Sequence, residues 1–153
     1  MAYVHSVLQP GETIKMIGRL HWIIYLRAIV VLAAGAKVIV YAPRTGPETE
    51  KLLEYVGWVI VAVGGLEFLI AMVRRSITEL SVTTQRVIYK HGFIRRRTVE
   101  MALDKVETVD VDQSIGGRLL GYGTIQVRGT GQGIEGLARV QSPIRLRTAI
   151  TTA

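Results

Sequence analysis

The chain has 153 residues, 49% of them hydrophobic, with 19 Lys and Arg against 12 Asp and Glu for a formal net charge of +7, and no cysteine. The lack of cysteine excludes a disulfide framework and thiolate chemistry, and it fits a reducing compartment. A basic excess of this size raises nucleic acid as a ligand class, so where the charges fall becomes a question for each segment in turn.

Residues 1–20 are a polar N-terminal segment in which residues 13–19 read as extended, able to add a strand to a sheet formed downstream. Residues 21–41, HWIIYLRAIVVLAAGAKVIVY, are apolar over a membrane-spanning length but carry Arg27 and Lys37. Ala34-Gly35-Ala36 has the spacing of a signal-peptidase site, although Arg27 would interrupt the apolar region of a leader and the charged part before it would be unusually long. Residues 42–54 are a turn-rich, acidic connection with Pro43, Gly46 and Pro47 as breakers. Residues 55–73, YVGWVIVAVGGLEFLIAMV, hold one charge, Glu67, and are closed by Arg74-Arg75. A run of about 18 or more apolar residues matches the hydrocarbon thickness of a bilayer, and Trp58 suits a headgroup boundary.

The two runs predict a transmembrane hairpin. Lys15, Arg19, Arg74 and Arg75 flank it on one side, whereas the connection sets Glu48, Glu50 and Glu54 against Arg44 and Lys51, so both termini are expected in the cytoplasm of a multi-pass protein of the cell inner membrane. Arg27 lies about 7.5 Å inside Trp22 and Glu67 about 9 Å inside Val73 at 1.5 Å per residue. Matching depths on antiparallel helices predict an Arg27–Glu67 contact, because a charge inside a bilayer needs a partner or water; the alternative is Arg27 reaching the headgroups by itself. Gly64-Gly65 would let the backbones approach closely.

From Ser76 onward the hydrophobic period changes to two, punctuated by glycine. Strands are expected at residues 77–82, 86–90, 94–101, 106–112, 124–129 and 136–140, and a short helix over residues 144–150 opened by Pro143. Residues 76–153 thus make a small antiparallel sheet domain with a terminal helix, near the lower size limit for an independent core.

Several stretches resemble a known family: the Pro10–Glu12 "PGE", His21-Trp22, VTTQRVIYKHG, DKVETVDVDQS and GRLLGYGT at residues 117–124. With the two-span hairpin between them, these resemble the bacterial membrane-anchored proteins with a pleckstrin-homology-like (PH-like) domain, formerly a domain of unknown function. The resemblance implies an α+β membrane protein: a two-helix transmembrane hairpin followed by a small cytoplasmic PH-like bent antiparallel sheet or barrel with a C-terminal helix. It implies no common catalytic reaction.

The residue inventory is also non-enzymatic in character. His5, His21 and His91 are far apart with no carboxylate at metal-ligand spacing, and no Ser or Thr has a base in reach of sequence reasoning, so no catalytic, metal or cofactor site is assigned. Asp104, Glu107, Asp110 and Asp112 alternate along one strand as an exposed face would. Gly131, Gly133 and Gly136 fit GxGxxG but join two strands rather than a strand and a helix, which removes the dinucleotide reading.

What remains is positive charge: Arg74, Arg75, Lys90, Arg95, Arg96 and Arg97, with Arg145 and Arg147 on the last helix. Such residues favour an anionic membrane surface. No nucleic acid is expected, since aromatic stacking residues are missing from the basic strand and the acidic strand would repel phosphate. Phosphoinositide recognition is a fold-level analogy alone, because residues 81–85 hold no Lys or Arg. The expected function is a membrane-tethered adaptor that binds anionic lipid, a protein partner or a second copy of itself. Ile115, Leu119 and Leu120 are candidate partner contacts, packing of that connection on its own core being the plainer reading. An accessory subunit of a larger transporter or respiratory complex is the alternative, with Arg27 and Glu67 at the subunit contact.

Overall fold

The computed structural model describes residues 8–44, 46–92, 97–130 and 134–152. It divides into two compact units, Trp22–Val73 and the combination of Met1–His21 with Arg74–Ala153.

The first unit is helical. A 3-10 turn at Trp22–Tyr25 leads into α1 (Leu26–Tyr41), a second at Ala42–Arg44 makes the reversal, and α2 runs over Pro47–Ile77. The acidic connection expected over residues 42–54 is therefore mostly helix. Pro47 stands at the first helical position, where its missing N–H is no loss, and Glu50 lies in the first turn, where the helix dipole favours an anion. Close approach of the helices depends on glycine: a Cβ on Gly35 would stand 2.9 Å from the Val61 nitrogen, on Gly57 2.5 Å from Ile39 Cγ1, and on Gly64 3.0 Å from the Leu32 nitrogen. Gly65 has nothing within 4 Å. Both helices are long and apolar enough to cross a membrane, and only 11% of each apolar window is buried.

The second unit holds seven strands among the described residues. β1 (Ile14–Arg19), β2 (Glu79–Thr83), β3 (Arg86–His91) and β4 (Arg97–Ala102) form one antiparallel sheet in that order, and β5 (Val106–Asp112), β6 (Tyr122–Gly129) and β7 (Ile134–Gln141) form another. The single bent sheet of the sequence reading is thus two sheets, broken at the 3-10 turn Leu103–Lys105. The extended N-terminal segment is a full member: Arg19 pairs with Glu79 and Met16 with Val82. Beyond β1, Leu20 bridges to Val140 and the His21 N–H donates to the Arg139 carbonyl at 2.7 Å, tying the first sheet to β7.

Strand β2 begins at Glu79, two residues later than expected, because α2 continues through the Arg pair and Thr78 N–H still bonds the Arg74 carbonyl. Residues 94–96 of the expected fourth strand, and Gly131 and Gly133 of the glycine run, lie outside the described residues. The core between the sheets is built from period-two positions such as Leu80, Val82, Val87, Ile125, Val127 and Val140. It is closed by α4 (Pro143–Thr151), whose Leu146 and Ile150 are buried four residues apart on one face.

One element differs from the connection expected at its position. Ile115–Leu120 is a short helix, α3, capped by the Ser114 hydroxyl, which accepts from the Gly117 N–H at 3.1 Å, and ended by Gly121 in the left-handed region at φ 77°. Gly116 and Gly117 inside it mask the helical pattern, but the Ser and Gly caps at its ends are a legible signal.

The glycine contacts set an expectation for thermal unfolding of the chain in detergent. Gly57→Leu overpacks the helix contact and destabilises by about 1–3 kcal/mol, whereas Gly65→Ala, in open space on the same helix, stabilises by roughly 1 kcal/mol. Equal responses of the two variants would show that the glycine contact does not hold the helices together.

Candidate functional site

The most constrained group of polar side chains lies where the N-terminal segment meets the β2–β3 turn. Glu12 is buried, its side chain with no exposure. One carboxylate oxygen accepts from Thr83 Oγ1 at 2.6 Å and Arg86 Nε at 3.0 Å; the other accepts from Arg86 Nη2 at 2.8 Å and the Gln9 N–H at 2.8 Å. Arg86 reaches on to Glu100 at 2.7 Å. Beside this pair, the Thr84 N–H donates to the Thr13 carbonyl and the Thr13 N–H to Thr84 Oγ1.

The Arg86 guanidinium, against the opposing cost of burial, lowers the Glu12 carboxyl from 4.5 to about 2, and the same contact raises Arg86. A carboxylate ionised throughout the neutral range, with four donors on its two oxygens, has neither a proton to give nor a lone pair to spare. It is a clamp. The "PGE" and "TTQR" sequences that carried the family resemblance are its two halves, and no local signal in the sequence joins positions so far apart. The clamp also consumes Arg86, the first cation after the β2 segment where a headgroup would be sought by analogy. A cavity of about 630 Å³ next to it is lined by Arg86, Glu100 and Lys105 among others, where the Arg86–Glu100 pair cancels most of the charge.

The other motif residues also meet each other. The His21 ring stacks on Tyr122 at 5.4 Å, and its imidazole hydrogen-bonds the backbone of Leu120. A Cβ on Gly117 would stand 2.6 Å from the Tyr122 carbonyl oxygen, so GRLLGYG is shaped around this contact.

The expected site residues are distributed unevenly. Arg27 and Glu67 are brought together, Nη2 to Oε1 at 2.9 Å, with the Arg27 side chain 81% exposed and that of Glu67 27%; the second Glu67 oxygen is buried without a hydrogen-bond partner among the described residues. Arg74 and Arg75 lie in the last turn of α2, the latter close enough to act electrostatically on His21. Lys90, on β3, pairs with Thr98 of β4. Arg95 and Arg96 lie outside the described residues, and Arg97 begins β4. Ile115 and Leu119 do not pack on the core of their own domain: they are 89% and 86% exposed, and Leu120 is 45% exposed. Among the described residues no three of His, Cys, Asp or Glu converge as metal ligands would.

A family model described as bacterial PH domain matches residues 22–150. The chain belongs to this family. No curated protein and no solved structure matches it. The match to the bacterial PH domain runs through both apolar helices and from β2 to α4, so β1 and the Glu12 turn lie before it while completing the sheet. PH-like domains are generally non-catalytic binding modules, which suggests a binding or adaptor role for this one.

The clamp gives a pH dependence with a definite sign. A depressed carboxyl contributes stability that is complete above its unfolded value of 4.5 and is lost as pH falls toward about 2; the difference corresponds to about 3 kcal/mol. Glu12→Gln is expected to lose a similar amount at pH 7, with the two proteins converging in thermal stability near pH 2. A gap that persists unchanged at low pH would show that the loss is packing and not charge.

Proposed function

We propose that this bacterial PH domain protein is a non-enzymatic, membrane-tethered binding module. In this reading residues 21–41 and 55–73 cross the cytoplasmic membrane as a hairpin, the connection at residues 42–54 is extracytoplasmic, and residues 76–153, completed by β1, stand in the cytoplasm with both termini. The domain engages anionic lipid together with a protein partner or a second copy, and takes no cofactor and no nucleic acid.

The observation that carries this is the pair of apolar helices with about nine-tenths of their apolar windows unburied. Apolar surface on that scale is unstable in water and stable in hydrocarbon. Topology supports the same sidedness as the basic residues do: the hairpin is inserted between two strands that pair at Arg19 and Glu79, so the chain must leave and return on one side. Arg27 and Glu67 neutralise each other within the span, which lowers the cost of placing either there. The cations Arg74, Arg75 and Lys90, and in sequence Arg95, Arg96 and Arg97, belong in this reading to the segments on the side of the anionic leaflet.

A second reading is supported by the unpartnered Glu67 oxygen and the exposed Arg27: an accessory subunit whose intramembrane pair is completed by another protein of a transporter or respiratory complex.

The chain has no cysteine, so single introduced thiols report topology cleanly. In cells stripped of outer layers, an impermeant maleimide is expected to label Lys51→Cys directly and Thr108→Cys only after permeabilisation. Labelling of Thr108→Cys from outside would overturn the topology. In inside-out membranes the domain of a tethered module is digested by protease; a domain protected until detergent is added would favour the built-in subunit.

A further inference from the structure

Between α3 and α4 lies a cavity of about 730 Å³ whose lining includes Arg118, Arg145, Arg147 and Ile144. All three arginines are exposed, and among the described residues no ion pair engages any of them. Asp112 lies between two lining residues, Val111 and Gln113, but strand alternation turns it to the other face and it does not line the cavity.

Next to these cations stand the most exposed large apolar side chains among the described residues of the domain. Ile115 and Leu119 are four residues apart and so share a face of α3, at 89% and 86% exposure, and Ile144 on α4 is 60% exposed. The Leu120 backbone and Tyr122 hold His21, the residue from which the chain passes into the apolar helices. His21, the last residue of the domain before the apolar segment, is therefore held against the end of the domain that carries α3.

We propose that this α3–α4 surface docks on the anionic phospholipid bilayer, Ile115 and Leu119 entering the boundary between headgroups and acyl chains while Arg118, Arg145 and Arg147 hold lipid phosphates. Arginine pairs with phosphate through a planar fork, and apolar side chains beside it gain from a lipid interface but would gain nothing from free phosphate. The inference rests on the membrane-tethered reading and names the surface that reading uses: it assigns lipid contact to α3 and α4 rather than to the cations around the β3–β4 turn, and it gives Ile115 and Leu119 a lipid rather than a protein to meet.

The test uses the full chain in nanodiscs of phosphatidylcholine alone or mixed equally with phosphatidylglycerol, carrying one environment-sensitive fluorophore on Leu119→Cys, with Thr108→Cys as reference. In the anionic discs, nitroxide-labelled lipid is expected to quench the Leu119 label several-fold more than the reference. Replacing the three exposed arginines by Gln is expected to lower the docked-to-undocked ratio by roughly 100-fold, about fivefold per cation, returning the signal to that of the reference. A Leu119 label that stays in water although the protein is incorporated overturns this surface and leaves the tether standing; failure to enter discs at all overturns the tether as well. Loss of quenching on adding inorganic phosphate would show a free-phosphate site, and shielding that disappears on dilution without regard to lipid would show a contact between copies; either result overturns the proposal.

Discussion

Two strands that are neighbours in the sheet are separated in the chain by the entire helical hairpin, and the pairing of Arg19 with Glu79 obliges both ends of that hairpin to come back to one point. Closing so long a loop carries an entropic cost that grows only slowly with length, and a hairpin whose helices already touch through Gly35, Gly57 and Gly64 shortens the effective loop to a few residues at each end. The helical contact and the strand pairing therefore support each other. At the far end of β1 the Glu12–Arg86 clamp fixes the same strand to the β2–β3 turn, so β1 is held at its start by charge, along its length by the ladder, and at its end by the Leu20 and His21 contacts to β7.

The two internal ion pairs show how the same chemistry serves different surroundings. Glu12 is removed from water with four hydrogen bonds and a bidentate arginine, which is what a buried carboxylate requires if it is to stay ionised. Glu67 has one arginine and one orphaned oxygen, an arrangement that would be poor in a protein core. The first pair is complete, and its titration is pushed out of the physiological range. The second leaves one Glu67 oxygen without a hydrogen-bond partner among the described residues.

Much of the fold was legible because it is periodic. The strand at residues 106–112 and the terminal helix behind Pro143 follow from alternation and from proline at a helix start. Legibility failed where local composition and tertiary context disagree. The acidic, proline-bearing residues 47–54 look like a loop, yet they are good helix-start residues once an apolar helix follows. Ile115–Leu120 looks like a loop because two glycines interrupt it, although its caps stand in the sequence. The clamp was illegible for a different reason: the Glu and Arg that form it lie 74 positions apart, and complementary charge alone selects no pair among 19 cations and 12 anions.

Tethering changes what a binding surface on such a domain must achieve. In the proposed reading, a module held to its membrane by two helices would meet lipid at the effective concentration set by a linker of a few residues, in the millimolar range or above, so that a contact too weak to detect between separate molecules would be occupied most of the time. Under that condition a deep, selective headgroup pocket has no advantage, and the proposed surface, a cavity lined by three arginines without an ion pair among the described residues beside the exposed Ile115 and Leu119, would be enough to set which face of the domain is turned to the bilayer. Orientation then decides which strand edges remain available to a partner, since a free sheet edge presents unpaired N–H and C=O groups to any chain that can reach it. In the proposed orientation, with α3 and α4 on lipid, the edge strands β4 and β5 are the described backbone left to be read by another protein.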